Sequence, residues 1–502
     1  MAGGKELSLL EFQKKDVEKL GPQLSRLVGS DPGTGKTYVG LGLDIKNRKR
    51  ATDENGYRVR KTLILCPKSV ISVWDDHCME LTDENVIVID SKNRKLFIKD
   101  ALDKTLSGYF ICNWDAIRLM PELQKVQWFH IIGDEIHRAK NRKAQVTTTL
   151  KKIPAVYKTG MSGTPADNKP QDLWSIINWL WPKYYTSYWR FTKAYCVMES
   201  SDDGYSKFVG VRNAEHLQEE MAPWFVRRRK EEVLTDLPDK YYTRIWVDLS
   251  PPQRKAYDQM RKTMVAWCEE YADELKNNDP IIAQAVVAQL VRLQQYADAY
   301  VVPILDENGD QIIKKKWNSK TEQYDDKPQW GVSDPSSKLD VLMDLIKDRG
   351  DEQIVVFSQF KSVISLLEQR LKREKIAYGL LTGDVSQQDR AKAVQDFQQG
   401  KLRVFAGTIA AGGVGITLTA ASTIVFIDRS WSPAINLQAE DRLHRIGQKD
   451  AVEVIDLMAR NTVDLGKAQQ LAMKWKWIQV LLGDTVDLDR LGQLMKGEES
   501  GI

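Results

Sequence analysis

Two stretches of this chain share one design, in which short apolar runs alternate with helical segments. In the first the runs are Arg26–Gly29, Thr62–Cys66, Val86–Asp90, Tyr109–Asn113, Phe129–Gly133 and Ala155–Gly160. In the second they are Gln353–Phe357, Ala377–Leu381, Leu402–Ala406, Thr423–Asp428 and Val452–Leu457. These runs are apolar at successive positions, so both faces of each strand need cover, as in a buried parallel sheet. Alternating strands and helices supply that cover on both sides. The expectation is an α/β chain with two doubly wound parallel-sheet domains. Between them, about 172–335, Asp172–Trp189 and Pro252–Tyr300 read as mainly helical, and Leu305–Ile313 as a hairpin insertion around a DENGD turn. The expected boundaries are 1–245, 246–335 and 336–502.

A chain of 502 residues exceeds one ordinary core. It has no run of about 18 apolar residues, and MAGGKELSLLEFQ lacks the apolar centre of a secretory signal. A cytoplasmic location is expected in a prokaryotic or viral setting, and a nuclear one in a eukaryote. The five cysteines form no CxxC pair, which fits reduced structural thiols better than a zinc site. The DENGD turn is no calcium loop: its glycine is misplaced and no closing glutamate follows. Net charge of +4 says little about partners. Basic clusters occur at Lys46–Arg50, Arg138–Lys143, Arg227–Lys230 and Lys314–Lys316. Each alone reads as a solvated face, but the second and third adjoin motifs and are the better candidates for an anionic partner.

Ser30–Thr37, SDPGTGKT, follows the first strand and departs from a phosphate-binding loop only at Ser30. Gly33, Thr34 and Gly35 would wrap backbone N–H groups around phosphates, at the positive end of a helix beginning near Lys36. Lys36 would reach the β/γ-phosphates and Thr37 would ligate Mg²⁺. Asp134-Glu135-Ile136-His137 ends the apolar run Phe129–Gly133, where a parallel sheet delivers catalytic groups. Asp134 would hold Mg²⁺, and Glu135 would orient the attacking water. Ser162-Gly163-Thr164-Pro165 ends the next strand; alone it reads as an ordinary turn. Arg442 and Arg445, three apart on an expected helix, share one face and suit phosphate oxygens. A helix-surface pairing with Glu440 and Asp441 is the plainer alternative. His444 reads as a packing or sensing residue rather than a metal ligand.

With these pieces in order, the chain resembles the Swi/Snf-type ATPases of helicase superfamily two over almost its whole length. The resemblance rests on DEIHRAKN at Asp134–Asn141, SGTPADNKPQDLWSIINWLWP at Ser162–Pro182, FVRRRKEEVLTDLP at Phe225–Pro238, SSKLDVL at Ser336–Leu342, VFSQF at Val356–Phe360, and the long Ala406–Gln448 segment. It implies two RecA-like domains with helical insertions and an ATP cleft between them. It implies that Phe12 and Gln13 read the adenine, that Gly413 and Gly415 couple the ATP and DNA sites, and that Gln438 opens the arginine motif. Lys68, Ser69, Asn113, Trp114, Ser358, Gln359, Thr408 and Trp431 would line a DNA track. The cofactors implied are ATP and Mg²⁺. Isoleucine at 136, where the family has alanine, and Ser30-Asp31-Pro32 mark a divergent branch.

The expected activity is ATP-driven translocation on double-stranded or branched DNA, by a monomer and away from membranes. A strand-separating DNA or RNA helicase is the alternative, and a nucleotide-gated binding protein the reading from another class.

Overall fold

A computed structural model describes residues 8–54, 59–89, 93–166, 170–200, 206–271, 280–318, 323–412 and 416–484. They form two compact bodies. The first takes the described residues of Met1–Leu237, Ser432–Asp441 and Ala472–Gln493; the second takes those of Pro238–Trp431 and Arg442–Leu471.

The first body is built on β1 (Ser25–Val28), β2 (Lys61–Cys66), β3 (Val86–Val88), β4 (Gly108–Asn113), β5 (Trp128–Asp134), β6 (Ala155–Met161) and β9 (Phe225–Val226), in spatial order β3-β4-β2-β5-β6-β1-β9. All neighbours run parallel. Every residue of β1 and β2 is buried, as continuous apolar runs require. The second body carries β10 (Lys240–Val247), β15 (Ile354–Ser358), β16 (Tyr378–Leu381), β17 (Val404–Thr408), β18 (Thr423–Phe426) and β19 (Val452–Ala459), ordered β10-β19-β18-β15-β17-β16 and again parallel. Two parallel-sheet α/β domains are therefore present, as the apolar runs implied. No helix among the described residues is long and apolar enough to cross a membrane.

Between the sheets, Pro252–Tyr300 is mainly helical as expected, whereas Asp172–Trp189 is interrupted. Helix Gln171–Leu180 stops before Pro182 and a new helix starts at Tyr188. β7 (Cys196–Ser200) pairs antiparallel with β8 (Ser206–Val211). Past helices Pro251–Glu270 and Pro280–Asp298, β11 (Tyr300–Pro303) pairs with β14 (Trp330–Ser333), and β12 (Ile313–Asn318) with β13 (Gln323–Pro328). Leu305–Ile313 contributes one bridge, Leu305 to Gln311, and the start of β12. β10 lies across position 245 and pairs along its whole length in the second sheet.

One buried polar network fixes the first body. Helix α1 spans Glu11–Leu20 and helix α2 Lys36–Glu54. Asp44, on α2, accepts from Arg48 Nε at 2.6 Å and from the Thr62 hydroxyl at 2.8 Å. His130 Nδ1 lies 2.7 Å from the same carboxylate, and His130 Nε2 lies 2.8 Å from Thr159 Oγ1. Arg26 Nε donates to that Thr159 oxygen at 2.9 Å. The directions are consistent with one imidazole tautomer, protonated at Nδ1 and accepting at Nε2. Arg48, from the first basic cluster, is thus a core residue, 5% exposed and also paired with Glu84.

Burial, reinforced by the charges of Arg26 and Arg48 and opposed by Asp44, lowers His130 to about 4. The unfolded imidazole takes up a proton below about pH 6.5, whereas the folded one stays neutral until about 4. Falling pH in that window therefore favours unfolding. From pH 7 to pH 5 this residue should remove on the order of 2 kcal/mol of stability. Burial pushes Asp44 up, but Arg48, His130 and Thr62 outweigh it and hold the carboxyl below its ordinary range, so it stays ionised across the window. Urea denaturation of the parent and His130→Asn at both pH values checks this. The variant should lose less stability on acidification, and equal losses would refute the neutral imidazole.

Candidate active site

Because the first sheet is parallel, its strands deliver their motifs at one edge. β1 runs into Ser30–Lys36, where Gly33 and Gly35 take φ of 83° and 77°, values that L side chains rarely adopt. Lys36 opens α2, and its ammonium donates to the carbonyls of Ser30 at 3.0 Å and Asp31 at 3.1 Å. Burial pushes that ammonium down, against the pull of Glu135, Asp134 and Asp31. Gln13 lies over the loop. It donates to the Thr34 carbonyl at 3.0 Å, and a Cβ on Gly35 would stand 2.5 Å from its amide nitrogen. Phe12 beside it is half-buried.

At the end of β5, Asp134 accepts from Trp74 Nε1 at 3.0 Å and from the Glu135 N–H at 3.0 Å. Burial, then the Glu135 charge, raises its carboxyl to about 6, with Trp74 and Lys36 pulling the other way. Glu135 has φ of 52°, a left-handed backbone for a non-glycine residue. Such conformations cluster at functional sites because packing must enforce them. Its carboxylate accepts from Gln438 Nε2 at 3.2 Å and lies 3.1 Å from His137 Nδ1. That imidazole nitrogen is also 2.9 Å from Ser162 Oγ, which sits 3.5 Å from Glu135. His137 therefore joins the Asp-Glu pair to the serine of Ser162–Pro165, a link no spacing in the sequence reveals.

Ile136 explains its own presence. A Cβ on Gly133 would stand 2.9 Å from the Ile136 side chain, and one on Gly160 3.3 Å. Two glycines on neighbouring strands make the room that the larger residue fills.

Arg227–Lys230 proves to be an anchor within the first body. Arg227 pairs with Asp31 at 2.8 Å and Asp484 at 2.9 Å, and donates to the carbonyls of Gly29 and Gly163. Arg228 pairs with Asp16 at 2.6 Å, Arg229 with Asp484 at 3.3 Å, and Lys230 with Asp441 at 2.5 Å. Each of these charges is met by an acid within the first body.

The donor set fits Mg²⁺ with phosphates. No group of three or more His, Cys, Asp or Glu that could hold a metal occurs among the described residues, and Mg²⁺ takes one or two protein oxygens plus phosphates and water. Thr37 and Asp134 would be those oxygens, and a divalent cation would favour the ionised form of Asp134 that burial disfavours.

The helix expected to carry both arginines ends at Glu440, so Arg442 and Arg445 lie in the turns beyond it; Arg445 donates to the Thr417 hydroxyl at 3.2 Å, and the Arg442 carbonyl accepts from the Leu418 N–H. His444 Nε2 packs against the Pro238 carbonyl at 2.8 Å. Gly413 and Gly415 lie outside the described residues. Lys338 of SSKLDVL is fully buried, paired with Asp298 at 2.8 Å and Asp464 at 2.7 Å, which makes it a core residue.

The expected DNA-track residues divide. Trp114 is 1% exposed and donates to the Asp134 carbonyl at 2.8 Å, so its ring is core and braces the carboxylate strand. Ser358 is fully buried and bonded to Asp428, which also accepts from the Gln359 N–H. Asn113 caps the following turn through the N–H groups of Asp115 and Ala116. Lys68 is exposed, while Ser69, Gln359, Thr408 and Trp431 are half-buried. Trp431 carries the Lys467 ammonium 5.0 Å from its ring centroid.

The chain is similar to known proteins over most of its length. The pattern described as SNF2-related domain matches residues 15–298. The helicase conserved C-terminal domain matches residues 337–447. TATA-binding protein-associated factor BTAF1 of Arabidopsis thaliana is 26% identical over 91% of this chain and 24% of its own length. An uncharacterised ATP-dependent helicase of Mycoplasma genitalium is 25% identical over 96% and 43%. The mouse chromodomain-helicase-DNA-binding protein 1-like is 28% identical over 87% and 45%. The chain thus spans less than half the length of these relatives. Among solved structures, the Sulfolobus solfataricus SWI2/SNF2 ATPase core in complex with dsDNA aligns over 98% of this chain and 95% of that one, with 22% identity and a TM-score of 0.42.

Removing the anchor should cost stability. Arg227→Met leaves Asp31 without its guanidinium and Asp484 with Arg229 as its remaining one, a change that typically costs about 3 kcal/mol or more. Thermal denaturation should show a clear fall for this variant and none for Lys143→Ala. Equal melting of the two would remove Arg227 from the framework.

Proposed function

The chain belongs to the SNF2-related family, and from that premise we propose that it hydrolyses ATP to move along double-stranded DNA. The observation that supports the chemistry is the convergence of Lys36, Asp134 and Glu135 in one body, with Gln438 on Glu135 and His137 linking it to Ser162. Lys36, freed from the loop carbonyls, would bind β/γ-phosphate oxygens, and the backbone N–H groups of Gly33–Lys36 would cradle them. Gln13 and Phe12 would hold the base. Mg²⁺ held by Thr37 and Asp134 would supply charge neutralisation at the phosphates. Glu135 would align the attacking water, and Gln438 and His137 would hold its carboxylate in line. Arg442 and Arg445 would contribute guanidinium groups to the γ-phosphate, a role a lysine performs poorly.

For the DNA part the support is the family and the DNA-binding helicase to which the chain is similar. Exposed Lys68 and the half-buried Ser69, Gln359, Thr408 and Trp431 are the remaining track candidates. They suit phosphates and sugars more than base edges, so binding would tolerate any sequence. Branched DNA is a narrower form of the same reading.

Two measurements test it. Glu135→Gln should bind ATP with near-parent affinity and turn it over at least about 100-fold more slowly, the low end for a lost acid–base group. Affinity and turnover falling together would make Glu135 structural. Duplex DNA should stimulate turnover more than RNA of equal length, and that stimulation should weaken as salt rises through counterion release. Equal stimulation by RNA would favour the strand-separating alternative.

A further inference from the structure

A strongly basic stretch with exposed aromatic rings lies outside the expected DNA-track residues. Residues 136–195 hold eleven Lys and Arg against two Asp, a balance of +9 within a chain whose total is +4. Most acidic residues therefore lie elsewhere. Among the described residues, Arg142, Lys143, Lys151, Lys183 and Arg190 enter no ion pair, whereas all four residues of Arg227–Lys230 do.

The unpaired cations are interleaved with aromatic rings. Arg142 lies 4.3 Å from the centroid of Tyr188, and Lys151 4.7 Å from that of Trp174. Trp174 and Tyr188 meet edge-on at 5.4 Å, and Tyr188 meets Trp189 at 5.2 Å. Trp189 is nonetheless 71% exposed, and Tyr184, against Trp181, is 78% exposed. Lys143, Lys183 and Arg190 are exposed. Burial and the neighbouring Arg142 charge lower Lys151 to about 8 with no carboxylate opposing, the condition that an anionic partner would relieve.

From these observations we propose that the surface around Trp189 and Tyr184 binds single-stranded DNA, its cations taking the backbone and its two rings stacking on unpaired bases. Duplex DNA would use only the cations, because its bases are already stacked. Exposed aromatic faces beside a basic strip are the arrangement that holds single strands without sequence preference. The inference deepens the DNA reading proposed above and depends on it. A site of this kind would retain an unpaired strand at a fork or gap while the motor runs on the duplex.

The test uses the full chain and a fluorescein-labelled oligothymidylate, with binding read by anisotropy. The double variant Tyr184→Ala/Trp189→Ala should bind the single strand about tenfold or more weakly, in the range set by loss of stacked bases. Trp189→Phe should retain most of the affinity. Thermal melting and duplex-stimulated ATP turnover should stay at the parent level. Unchanged single-strand affinity in the double variant, or a parent that does not bind the oligomer, overturns the proposal. So does an equal loss of single-strand affinity and duplex stimulation, which would make the patch part of the duplex path. A parent that binds the single strand by these rings, yet shows no stimulation by duplex, would instead sink the translocase reading and leave this surface standing.

Discussion

The carboxylate of Asp44 is the interaction on which the first body depends. It sits on α2, eight residues beyond Lys36, and takes hydrogen bonds from β2 through Thr62 and from β5 through His130. His130 passes the connection to Thr159 on β6, and Thr159 to Arg26 on β1. Each of these strands carries a motif at its far end. A shift of α2 against β5 would separate Lys36 from Asp134, and the network opposes that shift because breaking it leaves charges uncompensated in a dry core. Apolar packing alone would tolerate sliding better, since it has no preferred direction.

Strain and space are balanced close to the chemistry. Glu135 is held in a left-handed conformation by a short segment whose Ile136 packs over Gly133 and Gly160. An alanine there would leave a void above the two glycines. A side chain on either glycine would meet Ile136. The three positions are therefore coupled, and the departure from the family's alanine is compensated within one contact radius. The carboxylate that results is held from two sides, by Gln438 and by His137.

Strands of both sheets were readable because continuous apolar runs have few other uses. β10 was not, because KYYTRIWV mixes aromatic and charged residues and lies at a sheet edge, where one long side stays wet. Lys36, Asp134 and Glu135 were readable because phosphate chemistry needs those groups at strand ends. His137 and Trp74 were not, since their partners are set by tertiary approach rather than by spacing. Trp114 misled in the other direction: a tryptophan after a strand can face DNA or the core, and its indole N–H decided the matter by finding the Asp134 carbonyl.

Charge clusters show the same limit. Arg138–Lys143 and Arg227–Lys230 look alike in one dimension: each is a short basic run beside a motif. The fold separates them by where it brings carboxylates. Asp16, Asp31, Asp441 and Asp484 come from four distant places to meet the second cluster, converting it into a clamp behind the phosphate loop. For Arg142 and Lys143 of the first cluster, no described acid pairs with them. An unpaired cation in water is cheap and common, so one such residue carries no meaning. Several of them beside exposed aromatic rings are different, because the same absence of acids that lets each remain solvated also leaves a field of one sign. Long-range attraction then acts on any polyanion before contact, and the rings determine which form of it stays.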